Sequence, residues 1–249
     1  MTKWNAENIE DNPSFSGDIR LYSHSGLCNR LRLITAYKHL SDIKNKKMEF
    51  FWVKSPQCNG LFKDLFNPIP NIGFTYLEHR RKSVRPPDTA TMRNLFSHSQ
   101  KIKNKNHLIF KPVDGIMGEV KSIQDRIGED YIACHIRRTD IITIQKKYKI
   151  EPPKDQDFID FMEKYPDKRI FLATDSRTTQ EKFIKMFPDR LAYGCVVSGD
   201  GSRRYPKRTT SIQDAVKDLF LCIGSAHFMG TACSSYSTFI EDYKKGQHE

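Results

Sequence analysis

The chain has 249 residues, of which 38% are hydrophobic, enough to fill the core of one large domain or two small ones. Its 41 basic and 30 acidic residues give a net charge of +11, which attracts phosphates in nucleic acid, anionic lipid or a nucleotide diphosphate. The sequence lacks an apolar run of about 18 residues and the basic-then-apolar order of a secretory signal. We therefore expect a soluble, cytoplasmic protein without a membrane span.

The cysteines and histidines show no metal-binding pattern. None of the six cysteines belongs to a CxxC pair, and the eight histidines include no HxxxH pair. We expect free thiols and no structural zinc site.

Short apolar runs alternate with helical patterns, which predicts an α/β fold with mainly parallel strands. The first half of the chain contains a predicted strand at 18–22, a helix at 29–40, and strands at 48–53, 74–77 and 108–112. The stretch between the last two strands is rich in Arg, Lys, Pro and Ser. It predicts a long connection with at most a short helix at 92–96.

The second half of the chain alternates more regularly. It contains predicted helices at 116–127, 157–163, 179–186, 212–223 and 235–242, and predicted strands at 131–136, 169–173, 192–197 and 227–230. Two Rossmann-like domains, 1–115 and 116–249, are the natural assembly. Each is small, so we expect them to share an interface and to face a cleft that holds a ligand.

The first candidate binding segment is SGLCNRLR at 25–32, after the first strand. Gly26 permits a tight turn, and N–H groups at the following helix start can approach a phosphate. The segment is neither GxGxxG nor a Walker loop, so alone it is weak evidence.

The second candidate is CHIRRTD at 134–140, where a buried strand ends. Ligands of open α/β sheets bind at that end. Successive strand side chains point to opposite faces, so either Arg137 or Arg138 should aim into the cleft, where a guanidinium matches a phosphate. Thr139 and Asp140 are placed to orient it. The alternative is a surface Arg–Asp ion pair that closes the strand.

The third candidate is Asp175, which ends the run FLATD at 171–175. An N-cap of the next helix is the commoner role for an Asp at such a position. The alternative places Asp175 in the cleft, on sugar hydroxyls or a base edge, or holding an arginine.

The fourth candidate extends from Asp214 to Ser237. Asp218 stands on a mostly apolar helix, so we expect it to be partly buried and to need donors, which N1 and N2 of guanine supply. The later segment GTACSS, 230–235, puts small hydroxyl residues at a helix start, where N–H groups and the helix dipole favour an anion. An ordinary Ser N-cap is the alternative reading.

These four segments occur in the order, and at roughly the spacing, of the motifs of α-fucosyltransferases. The sequence most resembles the branch that contains α1,6-fucosyltransferases and rhizobial nodulation fucosyltransferases. The segments WVKSPQC, 52–58, and FKDLF, 62–66, also resemble the N-terminal domain of that branch. The resemblance covers about 18–66 and 131–240.

The resemblance implies a GT-B fold and metal-independent, inverting transfer of fucose from GDP-fucose to a glycan hydroxyl, without a cofactor. It implies that Arg137 binds the β-phosphate and stabilises the leaving GDP, with Arg138 and Asp140 completing the catalytic site. The further donor contacts that it implies are His135 and Asp218 on guanine, Ser234 with Thr231 or Ser235 on phosphate, Gly26 and Asn29 on the diphosphate, and Asp175 as support.

One position departs from the branch. Gln145 stands where the branch has a Glu that is thought to act as the base. An amide does not accept a proton usefully, so the base stays open among Asp140, Glu151, another acid, or none in a strongly dissociative mechanism.

Three other functions stay open at this stage: transfer from another GDP- or UDP-sugar, sugar binding without catalysis, and nucleic-acid binding. The basic runs at 80–82 and 202–208 suggest the last, but no RRM, KH or zinc-finger pattern is present, and we expect no nucleic-acid partner. The string DQD at 155–157 is interpreted as a helix start and not as a metal site. If the source is viral, the location would be the host cytoplasm.

Overall fold

The computed structural model describes residues 19–78, 104–139, 141, 145, 149–200 and 209–249. The predictions for Asp140, the helix at 92–96 and the basic runs at 80–82 and 202–208 lie outside these residues. The chain divides into two compact units. The first ends at Lys111 and includes Lys245–Glu249, and the second runs from Pro112 to Lys244. Each contains a parallel sheet with helices, so the predicted α/β class is confirmed.

The first unit is built on a three-stranded parallel sheet in the order β1-β2-β3. Its elements are β1 (Ile19–Ser23), α1 (Leu27–Lys44), β2 (Met48–Lys54), a 3-10 helix (Phe62–Asp64), β3 (Ile72–Glu78) and a second 3-10 helix (Asn104–Ile109). Buried aromatic rings fill its core, with Trp52 donating its indole N–H to the carbonyl of Gly60 at 2.8 Å. Because the strands are parallel, the loops after β1 and β2 lie at the same edge of the sheet.

The predicted strand at 108–112 is wrong. The second 3-10 helix, Asn104–Ile109, takes the first two of these residues, the next two belong to no strand, and His107 and Phe110 are both buried. Residues three apart lie on one side of a 3-10 turn, which places His107 and Phe110 together on the buried side, whereas Leu108 and Ile109 are half-buried. A short apolar run does not distinguish a strand from a buried turn.

The second unit is built on a four-stranded parallel sheet in the order β6-β5-β4-β7. Its elements are α2 (Asp114–Ile127), β4 (Tyr131–Ile136), α3 (Asp155–Glu163), β5 (Arg169–Thr174), α4 (Arg177–Met186), β6 (Leu191–Ala192), α5 (Ile212–Ile223), β7 (His227–Met229) and α6 (Ser235–Gly246). All six residues of β4 are buried, as expected for an inner strand covered on both faces. The end of β4 therefore lies between the ends of β5 and β7.

The strand predicted at 192–197 is much shorter in the structure, where β6 covers only Leu191–Ala192. The buried side chain of Gln180 binds the backbone that would continue the strand. Its amide donates to the carbonyl of Cys195 at 2.8 Å and accepts from the N–H of Val197 at 2.9 Å. These backbone groups are satisfied by a side chain, so no ladder forms beyond Ala192.

In the described parts of the chain, no helix has both the length and the apolar character needed to span a membrane. All six cysteines lie within the described residues, and none of them forms a disulfide bond.

Candidate functional site

The ends of three neighbouring strands meet at one edge of the second sheet. Arg137 follows β4, Asp175 follows β5, and Thr231 follows β7 shortly after its end. Thr231 Oγ1 donates to the carbonyl of His135 at 2.9 Å and accepts the N–H of Arg137 at 3.0 Å. On the other side, the N–H of Arg138 donates to Asp175 Oδ1 at 2.8 Å. Side chains from both flanking strands thus fix the backbone at which the arginine pair begins.

Asp175 makes several contacts at this edge of the sheet, and its interpretation as an N-cap is wrong. The N-cap of α4 is Ser176, whose hydroxyl accepts the N–H of Thr179 at 3.1 Å. The Asp175 carboxylate accepts the hydroxyl of Thr139 as well as the N–H after β4, and its Oδ2 lies 3.7 Å from Nε of Arg137. The carboxylate therefore pairs with the arginine, which was one of the alternative interpretations.

The two adjacent arginines are used differently. The side chain of Arg137 is 28% exposed and faces Asp175 across the ion pair. Arg138 instead donates from Nη1 to the carbonyl of Pro153 at 2.8 Å and from Nη2 to Asp155, with its guanidinium 5.6 Å from the ring of Phe158. Arg138 therefore fastens the start of α3 to the end of β4, and Arg137 is the better placed of the two to meet an anion.

The DQD string begins α3, as predicted. Asp155 and Asp157 both lie in the first turn, and Asp157 accepts the N–H of Lys154 at 2.6 Å. Within the described residues, no group of three or more His, Cys, Asp or Glu side chains is arranged to hold a metal ion.

His135 lies buried on β4 in its neutral form. Burial and, secondarily, the positive charge of Arg137 lower the pKa of His135 to about 3. Its Nδ1 lies 2.8 Å from the hydroxyl oxygen of Ser237, which also accepts the N–H of Thr231 at 3.0 Å. Its ring packs against Tyr236 at a centroid distance of 4.5 Å. His135 therefore joins the central strand to the first turn of α6.

The start of α6 combines a helix N-terminus with a buried hydroxyl. Ser234 is 1% exposed, and its Oγ has no hydrogen-bond partner among the described residues. Its carbonyl accepts the N–H of Thr238 at 2.9 Å, so α6 begins directly after it at Ser235. Cys233 turns the chain into the helix with a φ of 63°. A buried hydroxyl without a partner among the described residues, beside a helix start whose first N–H groups cannot bond within the helix, suits an oxygen-rich anion.

The hydroxyl of Thr231, for which the resemblance implies a phosphate contact, binds the protein backbone in the structure. Its hydroxyl is already bonded to two backbone groups of β4 and the residue after it. Thr231 accordingly positions the backbone at Arg137, and its contact with a phosphate, like those of Ser234 and Ser235, stays a prediction.

Asp218 is buried on α5, with 8% exposure, as expected for an acid on an apolar helix. A glycine that the sequence did not single out shapes its surroundings. A Cβ atom at Gly194 would lie 2.0 Å from Asp218 Oδ1, so only glycine fits there without displacing the carboxylate. Tyr236 links this helix to His135, because its hydroxyl donates to the carbonyl of Ala215, one turn before Asp218.

In the first unit, Gly26 and Asn29 lie at the start of α1. Gly26 has a φ of −61°, which any residue adopts, so the turn before α1 does not depend on the conformational freedom of a glycine. Among the described residues, no atom lies within 4 Å of a Cβ built at Gly26. Asn29 is half-buried in the first turn.

Arg30 was not among the expected site residues, yet it organises this edge. It is fully buried, donates from Nε to the carbonyl of Ser25 at 2.6 Å and from Nη2 to the hydroxyl of Ser55 at 3.0 Å, and lies over Trp52. Ser55 in turn donates to the carbonyl of His24 at 3.0 Å. The guanidinium thereby joins the loops after β1 and β2.

Solved structures of known proteins are similar to this chain in fold. No protein-family model and no curated protein matches the sequence. A crystal structure of NodZ alpha-1,6-fucosyltransferase soaked with GDP-fucose is 14% identical, with 91% of this chain and 92% of that chain covered and a TM-score of 0.54. Fucosyltransferase NodZ from Bradyrhizobium is 12% identical, with 90% and 91% covered and a TM-score of 0.57.

POFUT1 in complex with GDP is a further match. It is 10% identical, with 91% of this chain and 94% of that chain covered and a TM-score of 0.60. The chain thus shares its fold with fucosyltransferases over most of its length, and the resemblance indicated by the motifs is confirmed at the level of the fold.

Proposed function

We propose that the protein is an inverting glycosyltransferase that moves fucose from GDP-fucose to a hydroxyl of a glycan acceptor. One observation carries the proposal: Thr231 ties a partly exposed arginine and a helix N-terminus to the same point. Its hydroxyl accepts the N–H of Arg137, and its carbonyl accepts the N–H of Ser234 at 3.2 Å. A cation and a positive helix end beside each other fit a diphosphate.

Arg137 would act on the leaving group. As the bond between fucose and the diphosphate breaks, positive charge develops on the sugar and negative charge on GDP. Asp175 holds the guanidinium in place before the reaction, so little reorganisation is needed when that charge appears. A fixed donor of this kind lowers the activation free energy by on the order of 2.7–4 kcal/mol.

Asp218 and His135 would bind the guanine base of GDP. Guanine offers N1–H and N2–H donors side by side, which a carboxylate on α5 can accept. The neutral ring of His135 is connected through Tyr236 to Ala215, three residues before Asp218 on the same helix face. The second unit would then hold the nucleotide, as predicted for 116–249. We propose that Gly26 and Asn29 in the first unit also contribute to diphosphate binding.

The base that takes the acceptor proton is not assigned to a described residue. Glu151 is exposed and pairs with Lys154 at 3.4 Å, and Asp175 is occupied by its three donors. A mechanism in which bond cleavage leads, and in which deprotonation follows late, needs the least from a base.

A second candidate function is GDP-fucose binding without turnover. It is favoured by Gln145, an amide where a carboxylate is expected in the branch that the sequence resembles. A protein of this kind would bind GDP-fucose and release no GDP with any acceptor.

The test is a donor and acceptor screen in which the products are identified by mass. We expect GDP release and a fucosylated product from GDP-fucose, and no product from UDP-sugars. Efficient transfer from another nucleotide sugar would replace the donor assignment. Tight, salt-dependent binding of RNA or DNA by a protein that ignores every GDP compound would refute the proposal as a whole.

The reaction is expected to proceed in EDTA, because Arg137 and the N-terminus of α6 neutralise the leaving group in this scheme. The control is the same assay with added Mn²⁺. Loss of activity in EDTA that Mn²⁺ restores would contradict metal independence.

A further inference from the structure

Gln145 is a buried amide whose contacts lie on the loop before α6. It is 1% exposed, and its Nε2 donates to the carbonyl of Ala232 at 3.0 Å. Its own carbonyl accepts the N–H of Ile150 at 2.9 Å, which fixes its backbone. Its Oε1 is buried and has no hydrogen-bond partner among the described residues. Among the described residues, the side chain is therefore held only through its Nε2 donor.

The carbonyl that Gln145 binds lies in the loop 231–234, which precedes α6. Ala232 follows Thr231, whose hydroxyl positions the backbone of Arg137, and precedes Cys233, whose left-handed conformation turns the chain into α6. Ser234, with its buried hydroxyl, comes next. A hydrogen bond at Ala232 thus restrains the loop between the arginine and the helix start.

We propose that Gln145 is a positioning residue that holds the loop 231–234, and with it the anion-binding start of α6. Identifying the anion as the diphosphate of GDP rests on the function proposed above. Holding of the loop by the amide does not depend on that function.

The chemistry of the contact explains why an amide fits this position. The Ala232 oxygen is an acceptor, and an ionised carboxylate at 145 would offer only acceptors to it. Two buried acceptors facing each other repel, and each loses its hydrogen bonds to water. A Glu at 145 could make the same bond only when protonated. In this chain the position contacts the loop as a donor instead of receiving a proton from an acceptor sugar.

The test is the pH dependence of GDP binding by Gln145→Glu, measured by calorimetry from about pH 5 to pH 8, around the titration range of a buried Glu. At pH 8 we expect GDP to bind about tenfold more weakly than to wild type, the equivalent of one lost buried hydrogen bond. Affinity should return toward the wild-type value as the pH falls and the carboxyl is protonated. Gln156→Glu makes the same charge change at an exposed position of α3 and should follow wild type.

A second readout is independent of GDP. Hydrogen exchange of the backbone amides at the start of α6 should be faster in Gln145→Glu than in wild type at pH 8. Gln145→Met, which lacks the donor but carries no charge, should show faster exchange at every pH, and it serves if the Glu variant fails to fold.

The outcomes separate the two proposals. Wild-type GDP affinity and wild-type exchange in Gln145→Glu at all pH values would overturn the positioning role. Increased turnover in that variant would also overturn it, because the position would then serve as a base. If wild type binds no GDP, the proposed function fails, and the exchange measurement still decides whether Gln145 holds the loop.

Discussion

Each unit of the protein places an arginine near the carboxyl edge of its parallel sheet, and the two arginines are in opposite situations. Arg30 in the first unit is fully buried over Trp52 and donates to neutral oxygens. Arg137 in the second unit has a side chain that is 28% exposed, and it faces the carboxylate of Asp175. The residue type and the place in the fold are similar, but the surroundings differ.

The difference separates an arginine that holds structure from one that can meet a ligand. The pKa of Arg30 is lowered to about 10, and burial is the main cause. Its hydrogen bonds join two loops, so its interactions are already directed inward. Arg137 has a fixed direction and remains accessible, which is the combination that a leaving phosphate needs. The variants below test this distinction, beginning with the largest expected effect.

Replacing Arg137 should separate catalysis from stability. We expect Arg137→Ala to reduce the rate of fucose transfer by about 100-fold to 1000-fold, as when a fixed transition-state donor is removed. Because the side chain is partly exposed, the thermal unfolding temperature should stay close to that of wild type. Arg137→Lys keeps the charge without the planar donor pair and should fall between the two in rate. Near-normal turnover in the alanine variant would show that this residue is not the phosphate clamp.

Replacing Arg30 should give the reverse result. Arg30→Met removes the donor that binds the carbonyl of half-buried Ser25 and the hydroxyl of buried Ser55, and we expect the free energy of unfolding to fall by about 2–3 kcal/mol. Arg30→Lys should also be destabilising, since one ammonium group does not match both oxygens in the same geometry. Urea denaturation measures both variants. If neither variant is less stable than wild type, Arg30 has no structural role and the contrast with Arg137 disappears.

The acid sensitivity of the second unit tests the environment that Arg137 shares with His135. Burial and the Arg137 charge lower the pKa of His135 from 6.5 to about 3, so the folded protein binds fewer protons than the unfolded chain between these values. This contribution to stability is complete above pH 6.5 and is lost as the pH falls toward 3, with a slope of up to about 1.4 kcal/mol per pH unit.

His135→Asn should remove that component of the slope, whereas the exposed His248→Asn should leave it in place. Denaturation curves at successive pH values between about 7 and 4.5 give the slopes directly. Parallel curves for wild type and His135→Asn would mean that His135 does not remain neutral in the folded state.

The ion pair itself is expected to have the smallest effect. Asp175→Asn keeps an oxygen that can accept the N–H of Arg138 but removes the charge opposite Arg137. At this exposure an ion pair is worth about 1 kcal/mol or less, so the rate should fall by no more than about fivefold. Asp175→Ala, which also removes the hydrogen bonds to Arg138 and Thr139, should be the slower of the two in a transfer assay. Equal rates would show that those hydrogen bonds do not position the arginine.

Local sequence patterns predicted much of the second unit. The bounds of β4, Tyr131–Ile136, and of α5, Ile212–Ile223, agree with the prediction. A continuous apolar run marks the inner strand, and Ser211 with Asp214 forms a capping box at the start of the helix. Each of these patterns lies within a few neighbouring residues, so it can be recognised in a single sequence.

The side-chain partners were not predictable in the same way. Arg30 binds Ser55, 25 residues later, and Asp175 binds the backbone of Arg138, 37 residues earlier. Whether an Asp at a strand end caps its own helix or reaches the next strand depends on packing that no local pattern contains. The same holds for Gly194, where a Cβ would collide with Asp218 and come close to Lys217, both on another element.

Calorimetry with GDP and with guanosine, on wild type and Arg137→Ala, tests most directly whether Arg137 binds the diphosphate. The two ligands share the base and ribose and differ in the diphosphate. We expect wild type to bind GDP much more tightly than guanosine, and the variant to lose at least about tenfold in GDP affinity with guanosine affinity unchanged, as for a charge-assisted hydrogen bond. Equal GDP affinity in the two proteins would contradict the assignment of the diphosphate to Arg137.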